Sequence, residues 1–150
     1  MSEHRLECEQ LLPGRIQEVI AFFAQARNLE RITPPWLVFR VLTPEPIEMR
    51  VGTLIDYQLR VHGIPLSWTT RIEQWQPGSG FVDRQIAGPY RLWRHRHTFR
   101  AQGDSTVVTD VVDYALPFGV LGELTHRLLV RRDLERIFAY RHAAAARALA

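Results

Sequence analysis

Between Trp36 and Leu116 the side chains alternate apolar and polar with period two, and the run is cut by breaks too short for a crossover connection. Alternation of this kind marks strands with one buried face. Runs 36–42, 52–62, 65–76, 80–87, 91–102 and 105–116 read as strands. The breaks at Gly63-Ile64, Pro77-Gly78-Ser79-Gly80, Gly88-Pro89-Tyr90 and Gly103-Asp104 are hairpin turns, so neighbouring strands run antiparallel. The stretch 43–51 holds Pro44 and Pro46 and reads as an edge or a loop.

The flanks behave differently. Leu6, Cys8 and Gln10 alternate with Arg5, Glu7 and Glu9, which predicts one more strand. Ile16, Val19, Ile20, Phe22 and Phe23 follow at helical spacing, giving a short helix over about 13–26 with Pro13 in its first turn. Asn28 is expected to cap a second short helix carrying Leu29 and Ile32, stopped by Thr33-Pro34-Pro35. After Pro117 the period becomes helical: Leu121, Leu124, Leu128, Leu134, Ile137, Phe138 and Ala145 recur at three- and four-residue steps. That predicts one helix from Gly119 or Val120 to beyond Ala143, with these residues on one covered stripe. About 30 residues of helix span roughly 45 Å. A helix with an apolar stripe needs a surface, and a meander of hairpins supplies one. The expected class is α+β: a curved antiparallel sheet of six to seven strands around a long C-terminal helix, with two short helices after the first strand.

The chain has 150 residues, the size of one domain, and hydrophobic residues make up 46%, enough for a core. Cys8 is the only cysteine, which excludes an intrachain disulfide and a zinc site built on cysteines. No apolar run approaches the roughly 20 residues of a membrane helix, so stable membrane insertion is not expected. MSEHRLECEQLL carries acids where a secretion signal has basic residues, and the expected location is cytoplasmic. There is no lysine; every cation is an arginine, and the arginines are scattered, not clustered as nucleic-acid binding would require. Oligomeric state is not legible.

Hairpin arithmetic gives the inner face. The Gly103-Asp104 turn sets His97 opposite Asp110 and Trp93 opposite Tyr114. The Gly88–Tyr90 loop sets Asp83 opposite His95 and Gln85 opposite Trp93. The 77–80 turn sets Ile72 opposite Gln85 and Thr70 opposite Ala87, and a turn at Gly63-Ile64 sets Leu59 opposite Trp68 and Tyr57 opposite Thr70. All agree in parity. Tyr57, Trp68, Thr70, Asp83, Gln85, Trp93, His95, His97, Asp110 and Tyr114 share one face, while Arg60, Arg71, Arg84, Arg94, Arg96 and Arg100 share the other. The first face is apolar and aromatic, so it meets the helix. Unpaired buried polar groups cost roughly 1–3 kcal/mol each, and the register pairs them: Asp83 with His95, His97 with Asp110.

These ten residues are the candidate ligand-binding set, and His95, His97, Asp83 and Asp110 are the candidate catalytic groups. Two histidines two apart on one strand face suit a metal, but a carboxylate satisfies each imidazole without an ion, so no metal and no cofactor are expected. An Asp–His pair suits general acid–base chemistry; it equally orients a ligand or stabilises a sheet. The aromatics are either plain core or a ligand shelf. Trp36 is either a staple over the core or a lid.

The segments NLERITPPWL, GIPLSWTTRIEQW, FVDRQIAGPYRLWRHRHTF and TDVVDYALPFG resemble the START-like, helix-grip (SRPBCC) superfamily, which includes polyketide cyclases, the birch-pollen allergen and ubiquinone-binding proteins. FVDRQ and WRHRH place the resemblance at Asp83, Gln85, Trp93, His95 and His97. It implies a deep cavity between sheet and long helix, and binding of a small hydrophobic or aromatic molecule whose polar end is read by the Asp/His pairs. The alternative is a cyclase/dehydratase-type lyase or isomerase using one pair as general acid/base. The superfamily shares no catalytic motif, so no catalytic role carries over.

Overall fold

The computed structural model describes residues 2–150. Strand β1 (His4–Pro13) precedes two short helices, α1 (Ile16–Ala24) and α2 (Asn28–Ile32), and a 3-10 turn at Pro35–Leu37. Six strands follow: β2 (Arg40–Val41), β3 (Leu54–Val61), β4 (Ile64–Gln76), β5 (Gly80–Ala87), β6 (Leu92–Gln102) and β7 (Ser105–Ala115). The chain ends in a helix of three parts: α3 (Gly119–Thr125), a π-helical turn (His126–Val130) and α4 (Arg131–Leu149). The seven strands form one sheet in the order β1-β7-β6-β5-β4-β3-β2, antiparallel throughout. A curled sheet gripping a long C-terminal helix is the helix-grip α+β fold.

Parity holds across the sheet. Ile55, Tyr57, Thr70, Ile72, Trp93, His95, His97, Asp110 and Tyr114 are buried, while Arg60, Arg71, Arg84, Arg96 and Arg100 are exposed. The β6/β7 ladder pairs His97 with Asp110 and Trp93 with Tyr114, and β5/β6 pairs Asp83 with His95, as the turns require.

Two registers differ. The β3/β4 turn is His62-Gly63, not Gly63-Ile64, so Tyr57 opposes Trp68 and Leu59 opposes Leu66. His62 (φ 51°) and Gly63 (φ 80°) both adopt positive φ, as a tight two-residue hairpin demands. Between β4 and β5, irregularities at Thr69/Thr70 and Ile72/Gln74 bring Thr70 opposite Gln85 and Ile72 opposite Asp83. At these pairs the shift is by two residues, so the inner face survives there; nearer the turn it is by one, and Trp75 comes opposite Phe81.

Three local readings also change. The run 36–42 is mostly not strand: Pro34 and Pro35 start a 3-10 turn, Val38 is left-handed (φ 46°), and only Arg40–Val41 pairs. Asn28 is no cap; it lies inside α2 and its Nδ2–H donates to the Phe22 carbonyl (2.8 Å), tying α2 to α1. The expected single stripe of the long helix is split. Leu134, Phe138 and Ala145 are buried, but Leu121, Leu124 and Leu128 are exposed. Gly122, His126 and Val130 face the sheet in their place, and the π turn adds the residue that changes the helix phase before α4.

Gly80 begins β5 against the backbone of β6: a Cβ there would lie 2.1 Å from the His97 carbonyl oxygen. Gly80→Ala should therefore destabilise the protein by roughly 2–4 kcal/mol in urea unfolding. Gly78→Ala meets no atom within 4 Å and should cost only the left-handed strain of about 1–2 kcal/mol. Equal losses in the two variants would contradict the close approach.

Candidate functional site: a cavity with a buried carboxylate–imidazole wall

Sheet and helix do not close on each other completely. A cavity of about 310 Å³ lies between them, at the lower end of the roughly 300–1,000 Å³ usual for small-molecule sites. It runs from Phe23, Ala26 and Leu37 near the short helices to Pro89, Leu116 and Val130 at the other end. Of the residues expected to bind ligand, Tyr57, Trp68, Thr70, Asp83, Trp93, His95 and His97 line it. Trp68 and Trp93 meet edge to face (5.2 Å between centroids), and the Trp68 indole N–H donates to Thr70 Oγ1 (3.1 Å).

Gln85, Asp110 and Tyr114 do not line it. Gln85 spends its amide on the 88–90 loop: Nε2–H donates to the Tyr90 carbonyl (2.7 Å) and Oε1 accepts from the Tyr90 N–H (3.0 Å). The β5/β6 ladder has ended at Arg84–Arg94, which frees Gln85 to do so. Tyr114 bonds His126 Nε2 (2.8 Å), and His126 stacks on His4, whose Nε2 bonds Glu123 (3.0 Å); together they pin the start of the long helix to the sheet edge. Trp36 is neither buried staple nor closed lid: half-exposed, it packs edge-on against Tyr140 with Arg136 over its ring.

The Asp–His partners are exchanged relative to the backbone register. His97 Nε2–H donates to Asp83 Oδ2 (2.6 Å), and His95 Nε2–H donates to Asp110 Oδ1 (2.7 Å). Directly opposed backbones set the rows, but diagonal neighbours lie within reach of long side chains. Taking the diagonals lets the two imidazoles stack face to face, 3.7 Å between centroids, with Phe81 stacked on His97 at 4.1 Å. A carboxylate only accepts, so each Nε2 carries a proton. Asp110 is thus set behind the wall and His95 in front of it, in the cavity.

Two more side chains, both from the helix, complete the cluster. Arg141 lines the cavity from α4, its guanidinium over Phe23 and Phe138. His142 Nε2 lies 3.8 Å from Asp110 Oδ2, too long for a hydrogen bond. Hairpin arithmetic could not find these helix residues. The signal for Arg141 was its place on the stripe Leu134, Phe138, Arg141, Ala145. Burial alone would push both carboxyls up. The His97 hydrogen bond and the nearby positive groups outweigh it at Asp83 and leave it below the usual range. The imidazoles of His142 and His95, with Arg141, hold Asp110 well below it. Burial, aided by the neighbouring His95, pulls His97 down to about 4 against the pull of Asp83.

Asp83, His95 and His97 come close enough for a common ion, as do Cys8, Asp110 and His142, and His4, Glu123 and His126, with ligand atoms within 4.8 Å in each group. In the first group the Nε2 atoms are engaged with carboxylates. In the second, burial pushes the Cys8 thiol up to about 11, so it stays protonated.

The shifts fix a pH dependence. The unfolded chain takes up the His97 proton near 6.5, while the folded protein resists until about 4. In that window the unfolded state binds more protons, so stability falls as pH falls. The depressed carboxylates act in the same direction at lower pH. Urea unfolding between pH 7 and pH 4 should show a loss of about 3 kcal/mol, and His97→Gln should remove most of that slope. A flat profile in the parent protein would contradict a neutral buried His97.

No functionally curated protein matches the sequence. Solved structures do match in fold. A Chromobacterium violaceum protein superposes with TM-score 0.73 at 13% identity, covering 97% of this chain and 96% of its own. A START superfamily protein from Mycobacterium smegmatis gives TM-score 0.68 at 13% identity, covering 95% and 97%. A Thermus thermophilus protein gives TM-score 0.68 at 17% identity, covering 98% and 100%. The family model described as "Polyketide cyclase / dehydrase and lipid transport" matches residues 12–138, which is most of the sheet and the helix that closes the cavity, and this chain belongs to that START-like family.

Proposed function

We propose that this protein binds a small hydrophobic or aromatic molecule in the cavity, with Asp83, His95, His97 and Arg141 reading its polar end. The observation that carries this reading is the arrangement of the lining: aromatic and aliphatic almost throughout, with ionisable groups converging from β5, β6 and α4. Such a lining gives affinity by burial and orientation by a few polar contacts. The His95 imidazole exchanges a hydrogen bond with a hydroxyl, while Arg141 donates to a carbonyl or an acid group.

Native mass spectrometry of the purified protein should detect a co-purified small molecule. Titration with anilinonaphthalene sulfonate, read through Trp68 and Trp93, should saturate at one probe per chain. Leu59→Phe adds bulk to the cavity wall and should weaken that probe about tenfold, a penalty of roughly 1.4 kcal/mol. Probe affinity unchanged in Leu59→Phe would place binding elsewhere and overturn the cavity reading.

A second reading is favoured by one observation: Asp110 stands behind the wall, bonded to His95, which lines the cavity. A carboxylate that orients an imidazole toward a pocket is the arrangement of a general acid/base. On that reading the protein is a cyclase/dehydratase-type lyase or an isomerase of a carbonyl compound. For any molecule recovered from the protein, His95→Gln separates the two. Turnover lost by more than about a hundredfold with binding retained supports catalysis; no turnover in the parent protein supports binding alone.

A further inference from the structure

We infer that the first third of the long helix, with its arginine flank, docks this protein on an anionic lipid bilayer. The helix exposes Phe118 (80%), Val120 (88%), Leu121 (65%), Leu124 (52%), Leu128 (71%) and Leu129 (40%) to solvent. Scattered exposed leucines are ordinary, but six large apolar residues within one short stretch form a contiguous patch. The patch is not an unfinished core. This segment is fixed by other means: Gly122 packs on the connection that precedes the helix, where a Cβ would lie 2.1 Å from the Pro117 carbonyl oxygen, while His126 bonds Tyr114 and Glu123 bonds His4 on the sheet. The leucines therefore point outward in a well-anchored helix.

Charge decides what covers them. Arg127, Arg131 and Arg132 are exposed and have no ion-pair partner among the described residues. Two of the neighbouring acids are already engaged, Glu123 with His4 and Asp133 with His62 (2.8 Å), leaving Glu135. An apolar face edged by free arginines fits the boundary of a membrane with anionic headgroups: the leucines enter the acyl region and the guanidiniums reach the phosphates. A second copy fits worse, because burying these arginines in a two-fold interface would leave them short of acids, Glu123 and Asp133 being engaged already. No helix here is long and apolar enough to span a bilayer, so the contact is interfacial. Leu116 and Val130 bound the same segment and line the cavity, so the surface adjoins one end of it. The docking inference does not depend on what the cavity holds.

Vesicle co-sedimentation tests it. The full chain should bind vesicles of phosphatidylcholine mixed with phosphatidylglycerol, bind phosphatidylcholine alone at least about tenfold more weakly, and release as salt rises. Leu124→Asp with Leu128→Asp should cut binding at least about tenfold, as should Arg127→Gln with Arg131→Gln and Arg132→Gln. Both variants alter exposed positions and should keep the parent melting temperature and probe binding in the cavity. Absence of vesicle binding by the parent chain would overturn the proposal, as would binding that ignores both variants. So would light scattering that shows a dimer broken by the two leucine substitutions, which would assign the face to a second copy.

Discussion

Two carboxylates on the concave face of an otherwise apolar sheet are the constraint around which this structure is arranged. Asp83 and Asp110 are set inside by parity: each follows the alternation that also buries Phe81, Val108 and Val112. An ion taken from water into such a place costs several kcal/mol unless it is paired and hydrogen-bonded. The structure answers with His97 on Asp83, His95 on Asp110, and Arg141 and His142 brought in from the helix. The cluster joins β5, β6, β7 and α4, so the elements that form the cavity are held by the groups that give it polarity. Its acid sensitivity follows from the same burial, since the protons that unfolding would accept are refused by the folded wall.

The stacked imidazoles show how one choice constrains the next. With His95 and His97 on the same strand face, two residues apart, their rings are neighbours whatever their partners. Taking the diagonal carboxylates allows them to lie face to face and puts Phe81 against His97. The cost is left at Nδ1 of His97, which has no hydrogen bond and lies 3.6 Å from Asp110. His95 lines the cavity, while its carboxylate partner Asp110 does not. The recognition element proposed above would thus be built from the atoms of the structural network.

The long helix resolves a second conflict. It must cover the cavity through Leu134, Ile137 and Phe138, yet start from Pro117 at the end of β7. One π turn at His126–Val130 adjusts the phase between these demands. Up to the first residue of that turn the inward contacts are made by Gly122, Glu123 and His126, which leaves the leucines outside. A single stripe of apolar residues in the sequence therefore has two destinations, one for the core and one for the surface.

Strand alternation and turn chemistry made the fold and its inner wall legible without coordinates. Period two fixes which side of the chain a residue faces, and a pairing shifted by two residues, as across the His62-Gly63 turn, does not change the side. Hence Tyr57, Trp68, Thr70, Asp83, Trp93, His95 and His97 could all be placed on the cavity wall in advance. What alternation cannot fix is which neighbour a side chain takes on that wall. The exchange of Asp–His partners, the turn of Gln85 toward Tyr90 and the retreat of Asp110 and Tyr114 behind the cavity depend on rotamers and ladder ends. Arg141 and the outward leucines depend on helix phase, which one inserted residue rotates. The sequence by itself determined faces, because the direction of a side chain follows from its own backbone. Only the tertiary structure decided partners, because a partner is a distance between two chains of atoms whose separation neither one sets alone.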